Sequence, residues 1–261
     1  MSLSWPNLFP NIAVAGLFAD HCWLQGRQAA VAHSIRPEAL NDSMALLLQL
    51  EILLDERKKY LRKGTRLALT VSDSLAAFTM LPWQEALQRP AELASYAHIF
   101  FERQGLKLDS SWVLHTEFNR YGANGIAYAL RHDWLQKLEE IVFSRNLRLI
   151  SVLPVSAAAF CQQPKHKKSG NSLLLLSEQQ SMTALRFNVQ GLQSHDVEPV
   201  IGSEQSSGKR LLRRLASTQP PGLVQGCLWS PLPVEQRGSN DFIAESLHGI
   251  QLHSFPHGVW S

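Results

Sequence analysis

A polar stretch at residues 162–171 most strongly limits how this chain can fold, because it separates two segments that have the same pattern. Its Pro, Lys, His, Ser and Gly residues offer no apolar face to bury, which is typical of a linker. On each side the sequence predicts three short strands, then a helix, then a further strand. The predicted strands that open the two segments are 11–17, 22–25 and 28–35, and 172–176, 182–187 and 192–198. No repeat is visible at the level of single residues, so the duplication is a prediction from pattern alone.

The predicted organisation is an α/β protein of two meander-plus-helix units, with an α+β arrangement as the alternative. The first unit is expected at residues 1–161 with an inserted α/β subdomain at about 75–127. After the linker at 162–171, a shorter, truncated unit is expected at 172–261, ending in an irregular C-terminal tail from residue 231. Residues 132–145 carry the clearest helical stripe, which includes Leu138 and Ile141.

A second predicted helix, from Asn41 or Asp42 to about Lys63, carries a dense group of cations in its last turns. At that end of a helix, positive side chains complement the negative end of the helix dipole. These residues are Arg57, Lys58, Lys59, Arg62 and Lys63.

Composition excludes several classes of protein. The 261 residues are 45% hydrophobic, which is enough to form one large core or two small ones. The 25 basic and 22 acidic residues leave a formal charge of +3, so no chain-wide basic field favours nucleic-acid binding. The three Cys residues are widely separated, which argues against a disulfide framework or a structural zinc site. No segment reaches the roughly 18 apolar residues of a membrane span, so we expect a cytoplasmic protein that reaches a membrane only indirectly, through a partner.

The sequence predicts no catalytic residues, no metal site and no cofactor. The histidines near the C-terminus are interpreted as solvated, because Gly and Pro residues prevent one helix from aligning them as zinc ligands. The pair His21-Cys22 and the turn Ser72-Asp73-Ser74 match no nucleophile signature, and the glycine-rich phosphate-binding motifs are missing. The histidines in question are His248, His253 and His257.

Two further basic clusters are interpreted as solvated surface. If they bind anything, an acidic protein or an anionic lipid surface is favoured over nucleic acid, because no aromatic side chains are interleaved with the cations. The clusters are Lys165, His166, Lys167 and Lys168, and Lys209, Arg210, Arg213 and Arg214.

Two stretches resemble proteins of the actin-like ATPase superfamily, in particular PilM of type IV pili and the cytoplasmic part of the type II secretion L protein. The first runs from Leu69 through Ser72-Asp73-Ser74 to Leu81-Pro82-Trp83, and is similar to the family's strand, polar turn and strand ending in Leu-Pro. The second covers residues 128–135 and 147–160, similar to its strand, helix, strand and small-residue helix. The resemblance covers about residues 11–200 and implies an actin-like, RNase H-like fold.

The resemblance also implies where nucleotide would bind, because active members hold phosphates with an Asp-x-Gly turn in each meander. Here Gly16 and Phe18 stand at the first pair of positions, and Ser177 and Gln179 at the second. Asp20 is an alternative carboxylate if this alignment is shifted by a few residues. We therefore interpret the chain as a degenerate, nucleotide-free relative.

Three functions follow as hypotheses. The first is a non-catalytic PilM-like scaffold that holds the cytoplasmic peptide of an inner-membrane protein in a cleft beside the first subdomain. The second is an actin-like ATPase with an unrecognised nucleotide site, and the third is an immunity or adaptor protein. For the first hypothesis, the candidate residues that bind the partner are Ser72, Asp73, Ser74, Pro82 and Trp83.

Overall fold

The computed structural model describes residues 12–26, 30–35, 42–87, 89–162, 172–178, 180–217, 224–229 and 250–254. These residues form thirteen strands and five helices. The strands are β1 Ile12–Leu17, β2 His21–Gln25, β3 Val31–Ser34, β4 Arg66–Val71, β5 Ala76–Leu81, β6 Trp112–Glu117, β7 Gly125–Arg131, β8 Arg148–Pro154, β9 Ser172–Ser177, β10 Ser181–Asn188, β11 Gly191–Pro199, β12 Val224–Trp229 and β13 Ile250–Ser254. The helices are α1 Ser43–Glu56, α2 Pro90–Arg103, α3 His132–Ser144, α4 Val155–Cys161 and α5 Glu204–Ser217.

Two five-stranded sheets share one arrangement of strands. The first has the order β3-β2-β1-β4-β8 and the second the order β11-β10-β9-β12-β13. In each sheet the first three strands form an antiparallel meander, and the next strand pairs in parallel with the first. We refer to residues 12–161 as the first unit and to residues 172–254 as the second unit. The predicted α/β class is confirmed.

A third sheet belongs to the segment between β4 and α3. Its strands have the order β5-β7-β6 and are antiparallel, and α2 packs on them through Ala97 and Phe101. The last strand of this sheet runs to Arg131, four residues beyond the boundary of about 127 expected from the sequence. A short turn of 3-10 helix, Asp73–Leu75, joins β4 to this inserted sheet.

Apolar side chains alternate between the two faces of each large sheet. One face of the first sheet packs on α1 and α3, and the outer face of the second sheet packs on α5. The remaining two faces pack toward each other, with α4 between them. None of the described helices has the length and apolar character needed to cross a membrane.

The end of α1 differs from the sequence expectation. Asp42 caps the helix by accepting a hydrogen bond from the Met44 amide, but the helix ends at Glu56 instead of at Lys63. The sequence pattern predicts that Met44, Leu47, Leu48, Leu54 and Leu61 share the inner face of this helix. Leu47 and Leu54 are buried, together with Leu50, whereas Met44 and Leu48 are about half exposed. Five of the seven residues from Arg57 to Lys63 are cations and only Leu61 packs against the core, so burial does little to favour further helix.

The C-terminal region also differs, because residues 231–261 were expected to be irregular and Ile250–Ser254 forms β13, parallel to β12. A five-residue edge strand leaves too short an alternation to be recognised by pattern. The second unit is shorter because residues 230–249 separate β12 from β13, whereas residues 72–147 separate β4 from β8. Residues 163–171, nearly all of the predicted linker, lie outside the described residues.

Candidate functional site

The turn after β4 is joined to the second unit by one carboxylate. Glu178, which follows β9, accepts hydrogen bonds from the Ser72 hydroxyl at 2.5 Å and from the Asp73 amide at 3.1 Å. The Ser72 hydroxyl also accepts a hydrogen bond from the Ser74 amide, and the Ser72 amide donates to the Leu17 carbonyl at the end of β1. Glu178 therefore closes the space between the two units with both of its oxygens.

Asp73 joins the same turn to α4. Its two carboxylate oxygens accept hydrogen bonds from the amide of Ser156 at 2.9 Å and from the hydroxyl of Ser156 at 2.5 Å. His195 on β11 completes the cluster, with its Nε2 atom 3.3 Å from the Ser156 hydroxyl oxygen and its ring stacked on Phe78. Ser72, Asp73, Ser156, Glu178 and His195 form what we call the polar cluster.

Burial shifts the proton affinities of this cluster. Burial raises the pKa of Glu178 to about 8, with a further increase from the nearby charge of Asp73, while the hydrogen bond from Ser72 opposes the shift. Burial also raises the pKa of Asp73 to about 6, against the effect of its bonds to Ser156. Because burial and the charge of Asp73 disfavour ionisation of Glu178, the pair holds one proton near neutral pH. Burial lowers the pKa of His195 to about 4, so its imidazole is neutral there.

The polar cluster has nucleophilic, basic and acidic residues, but its geometry does not resemble a catalytic triad. The Ser156 hydroxyl donates to Asp73 and not to the imidazole, whereas an activated serine must pass its proton to the base. Ser156 is also fully buried, so its oxygen is closed to a substrate. Among the residues that the structure describes, no group of three or more His, Cys, Asp or Glu side chains is arranged to hold a metal ion.

The turn between β1 and β2 is filled by aromatic side chains. Phe18 and Trp23 are both buried. A Cβ atom placed on Gly16 would lie 2.2 Å from the Trp23 indole nitrogen and 2.5 Å from the Phe18 ring. The position that carries the Asp of an Asp-x-Gly turn in the sequence alignment therefore has no room for a side chain. Asp20 instead bonds to His21 at 2.6 Å, and this bond and the charge of His21 lower the pKa of Asp20 although burial alone would raise it.

Apolar packing fills the rest of the contact between the units. We call this contact the seam. Phe18 and Trp23 from the first sheet and Phe160 from α4 belong to one buried cluster with side chains of the second unit. The cluster comprises Phe18, Trp23, Ile126, Val155, Ala159, Phe160, Leu174, Leu176, Leu185 and Leu192.

An open groove of about 730 Å³ lies on the other side of the Ser72–Leu75 turn. The N-terminal ends of α1 and α3 and the inserted sheet form its walls, so it lies between the body of the first unit and the insertion. Trp112 and Trp134 supply aromatic surface, and the guanidinium of Arg131 lies 5.3 Å from the Trp112 ring. The groove is lined by Ser43, Met44, Leu46, Ser74, Leu75, Ala76, Ala77, Trp112, Arg131, Asp133, Trp134 and Lys137.

The candidate residues from the sequence fall into three places. Ser72 and Asp73 belong to the polar cluster, and Ser74 lines the groove. Pro82 and Trp83 follow the opposite end of β5, about 20 Å away along the strand. Trp83 is half-buried there, with edge-to-face contacts to Phe118 and Tyr121, and its amide donates to the Asn124 side chain.

Sequence reasoning missed most of the residues that complete these sites. Glu178 was seen only as the middle residue of a failed Asp-x-Gly turn, and Ser156 and His195 carried no motif at all. Trp112 and Trp134 were not among the candidate residues, and Trp134 is buried although it also lines the groove. These residues come together around the Ser72–Leu75 turn only in the folded structure.

No model of a protein family matches the sequence, and no curated protein matches it at a significant level. Solved structures do match. A Bacteroides thetaiotaomicron protein with an actin-like ATPase fold and unknown function is 10% identical, with a TM-score of 0.58 over 90% of this chain and 88% of that chain. A chain of the PilM–PilN type IV pilus biogenesis complex is 12% identical, with a TM-score of 0.61 over 94% of this chain and 88% of its own length.

The cytoplasmic domain of EpsL, an inner membrane component of the type II secretion system of Vibrio cholerae, is 11% identical. Its TM-score is 0.50 over 96% of this chain and 87% of that chain. At these identities the similarity establishes the fold. The resemblance expected from the two sequence stretches is confirmed at that level: this chain has the actin-like fold, and its structure is similar to a chain of the PilM–PilN complex and to the cytoplasmic domain of EpsL.

Proposed function

We propose that this chain is a scaffold without catalytic activity that binds a protein partner in the groove between α1, α3 and the inserted sheet. The observation that carries the proposal is the contrast between the groove and the seam. The seam, where an actin-like ATPase would hold nucleotide, is filled by aromatic rings and by the hydrogen bonds of Glu178. The groove is open and is lined by apolar, aromatic and charged side chains.

The partner is proposed to be an extended peptide from the cytoplasmic part of an inner-membrane protein. A cavity of this kind, with Trp side chains and a few polar groups, suits side-chain anchors on a peptide. The similarity to a chain of a complex formed by two pilus proteins, and to a domain of a secretion component, supports an assembly of that class. In this proposal the chain works at the cytoplasmic face of the inner membrane. The hydrogen bonds of Ser72 and Asp73 fix the turn that places Ser74 in the wall of the groove.

Two substitutions on one helix test the proposal. Met44 lines the groove, whereas Leu48, one turn further along α1, does not; their exposed fractions are 49% and 54%. Calorimetry with synthetic peptides from the cytoplasmic segments of candidate inner-membrane partners should give a dissociation constant that Met44→Glu raises about tenfold or more, as for an interface anchor. Leu48→Glu should leave it unchanged. Equal effects of the two substitutions, or no binding by the unaltered chain, would refute the proposed groove.

A further inference from the structure

One end of the first unit carries a dense group of cations. Seven basic side chains come together there from the loop after α1, the first residue of β4 and the first residue of β8, and all but one are exposed. Arg66 and Arg148 are direct register partners in neighbouring parallel strands. The group, which we call the basic surface, comprises Arg57, Lys58, Lys59, Arg62, Lys63, Arg66 and Arg148.

The basic surface is not explained by the helix before it. Since α1 ends at Glu56, Arg62 and Lys63 lie beyond the last turn, where the field of the helix dipole has fallen off. The loop instead turns back through hydrogen bonds from Tyr60 and Leu61 to the Arg57 carbonyl. The cations were expected on the last turns of a helix, and the structure places them on a protruding loop.

The carboxylates near this loop have other partners. Glu51 and Asp55 both bind the Arg145 guanidinium, at 2.9 Å and 2.7 Å, and the hydrogen bond from Arg145 is the main reason why the pKa of Asp55 is lowered. Glu56 pairs with His33 at 3.1 Å. Lys58 contributes a smaller effect on Asp55.

The cations on α5 provide a contrast. Arg210 and Arg214 both pair with Glu198, at 3.0 Å and 2.8 Å. Two of the four cations of that cluster, which was interpreted from the sequence as solvated surface, are therefore engaged within the chain.

Charge is therefore distributed unevenly over the molecule. The whole chain has 25 basic and 22 acidic residues. Because the basic surface alone contains more cations than this excess of three, the rest of the chain is net acidic. A local excess of cations of this kind favours the approach of the basic surface to an anionic surface.

Tyr60 lies among the cations and is 43% exposed. The Lys59 ammonium is 4.9 Å and the Arg57 guanidinium 5.5 Å from its ring centroid. An exposed ring with a hydroxyl group suits the boundary between headgroups and acyl chains. Surfaces that bind single-stranded nucleic acid instead use several aromatic platforms along a basic track, and this loop has one ring that its neighbouring cations already occupy.

We propose that the basic surface binds the anionic headgroups of a phospholipid membrane directly. Clusters of about four to eight Lys and Arg residues are what such membranes attract. This contact adds to the association through a partner that the sequence predicts. The contact also sets the distance between the membrane and the groove, because α1 begins at the groove with Ser43 and ends beside the loop, about 20 Å away. An extended peptide of about seven residues spans that distance from a membrane anchor to the groove.

Vesicle co-sedimentation of the full chain tests the proposal. We expect binding to vesicles that contain phosphatidylglycerol, none to vesicles of phosphatidylcholine alone, and loss of binding at high salt. The variant Lys59→Gln/Arg62→Gln/Lys63→Gln should lower the partition coefficient on the order of a hundredfold. Lys59→Arg/Lys63→Arg, which keeps the charge, should bind as the unaltered chain does.

The matched control removes the same charge elsewhere. Arg103→Gln/Lys107→Gln/Arg213→Gln changes three exposed cations outside the basic surface and should bind anionic vesicles nearly as well as the unaltered chain. Equal losses in the two triple variants would mean that net charge, and not this surface, is responsible. Absence of binding to anionic vesicles, or tighter binding to duplex DNA through the same residues, would also overturn the proposal. Thermal unfolding of each variant checks that it is folded.

Discussion

Glu178 in the second unit accepts a hydrogen bond of 2.5 Å from the hydroxyl of Ser72 in the first. The two residues are 106 positions apart, and the carboxylate is buried. A buried hydrogen-bonded carboxyl group stabilises a contact only in the protonation state that suits its surroundings. The contact between the units should therefore respond to pH.

The first prediction concerns that response. Glu178 has a raised pKa in the folded chain, so its contribution is full below about pH 4.5 and is lost as the pH rises through about 8. The stabilisation from Asp73, whose pKa is also raised, falls with rising pH up to about pH 6. The stabilisation from His195, whose pKa is lowered, rises with pH between about pH 4 and 6.5. Between about pH 6.5 and 8, Glu178 alone of these three titrates, and the free energy of unfolding should fall by on the order of 1 kcal/mol.

Denaturant unfolding at several pH values measures this fall. Glu178→Gln keeps an acceptor for the Asp73 amide but cannot ionise, so its free energy of unfolding should stay level between pH 6.5 and 8. Glu102→Gln, an exposed change on α2, should retain the decline. A decline of the same size in Glu178→Gln would show that another group causes it.

The second prediction is that the chain does not bind ATP or ADP with magnesium. In the first turn, Trp23 and Phe18 fill the space next to Gly16. In the second turn, the Glu178 carboxyl group is bonded to the Asp73 amide and offers no group that would bind a phosphate. A ligand present at ten times its dissociation constant raises the unfolding midpoint by about 3 °C or more for a chain of this size. We expect no such rise in a thermal-shift titration. A magnesium-dependent rise would favour the ATPase hypothesis instead.

The elements of the fold were largely predictable where a strong apolar stripe exists. Helix α3 was expected at residues 132–145 and is found at His132–Ser144, because its amphipathic pattern contains no competing register. Helix α1 was extended too far because its Leu residues occupy more than one face, so the pattern alone did not show where burial stops. Boundaries depend on packing that a single stretch of sequence does not contain.

The candidate site was predictable only in part. The turn Ser72-Asp73-Ser74 stood out as a polar segment after a buried strand, and the structure places it between the seam and the groove. Its partners could not be inferred, because Glu178 and Ser156 become neighbours of Asp73 only when the two units and α4 are packed. A local pattern cannot specify contacts between residues more than eighty positions apart.

The third prediction compares two neighbours on α3. Leu138 is fully buried, so Leu138→Ala should lower the free energy of unfolding by about 2–5 kcal/mol. Ile141 was expected to be equally buried but packs only partly against the core, so Ile141→Ala should cost clearly less. Denaturant unfolding of the two variants measures both. Equal costs would contradict the packing of this helix.

The fourth prediction concerns Trp83, which remains a candidate for partner binding. Trp83 lies about 20 Å from the groove along β5, so a peptide bound in the groove contacts it only if the peptide continues along that strand. If it does, Trp83→Ala should weaken capture of the peptide, and the chain should still fold because Trp83 is half-buried at the edge of the insertion. Calorimetry and thermal unfolding should be measured together, with Trp112→Ala in the groove for comparison. If only Trp112→Ala weakens binding, the partner contacts the groove and not Trp83.

The last prediction follows from the packing around Gly16. A methyl group at this position would lie within 2.5 Å of Trp23 and Phe18 atoms, which are held in the seam by the second unit. Gly16→Ala should therefore lower the free energy of unfolding by about 1–3 kcal/mol, as overpacking does. Gly26→Ala is the matched control, because a Cβ atom there meets nothing within 4 Å and should cost little.

A double-mutant cycle separates this crowding from any other effect of the substitution. In a Trp23→Leu background the indole is gone, so Gly16→Ala should cost at least about 1 kcal/mol less than in the unaltered chain. Unfolding free energies of the four proteins give the coupling directly. If Gly16→Ala is harmless, or costs the same with Leu at position 23, then the ring does not fill the turn, and the strongest structural reason for the loss of a phosphate site disappears with it.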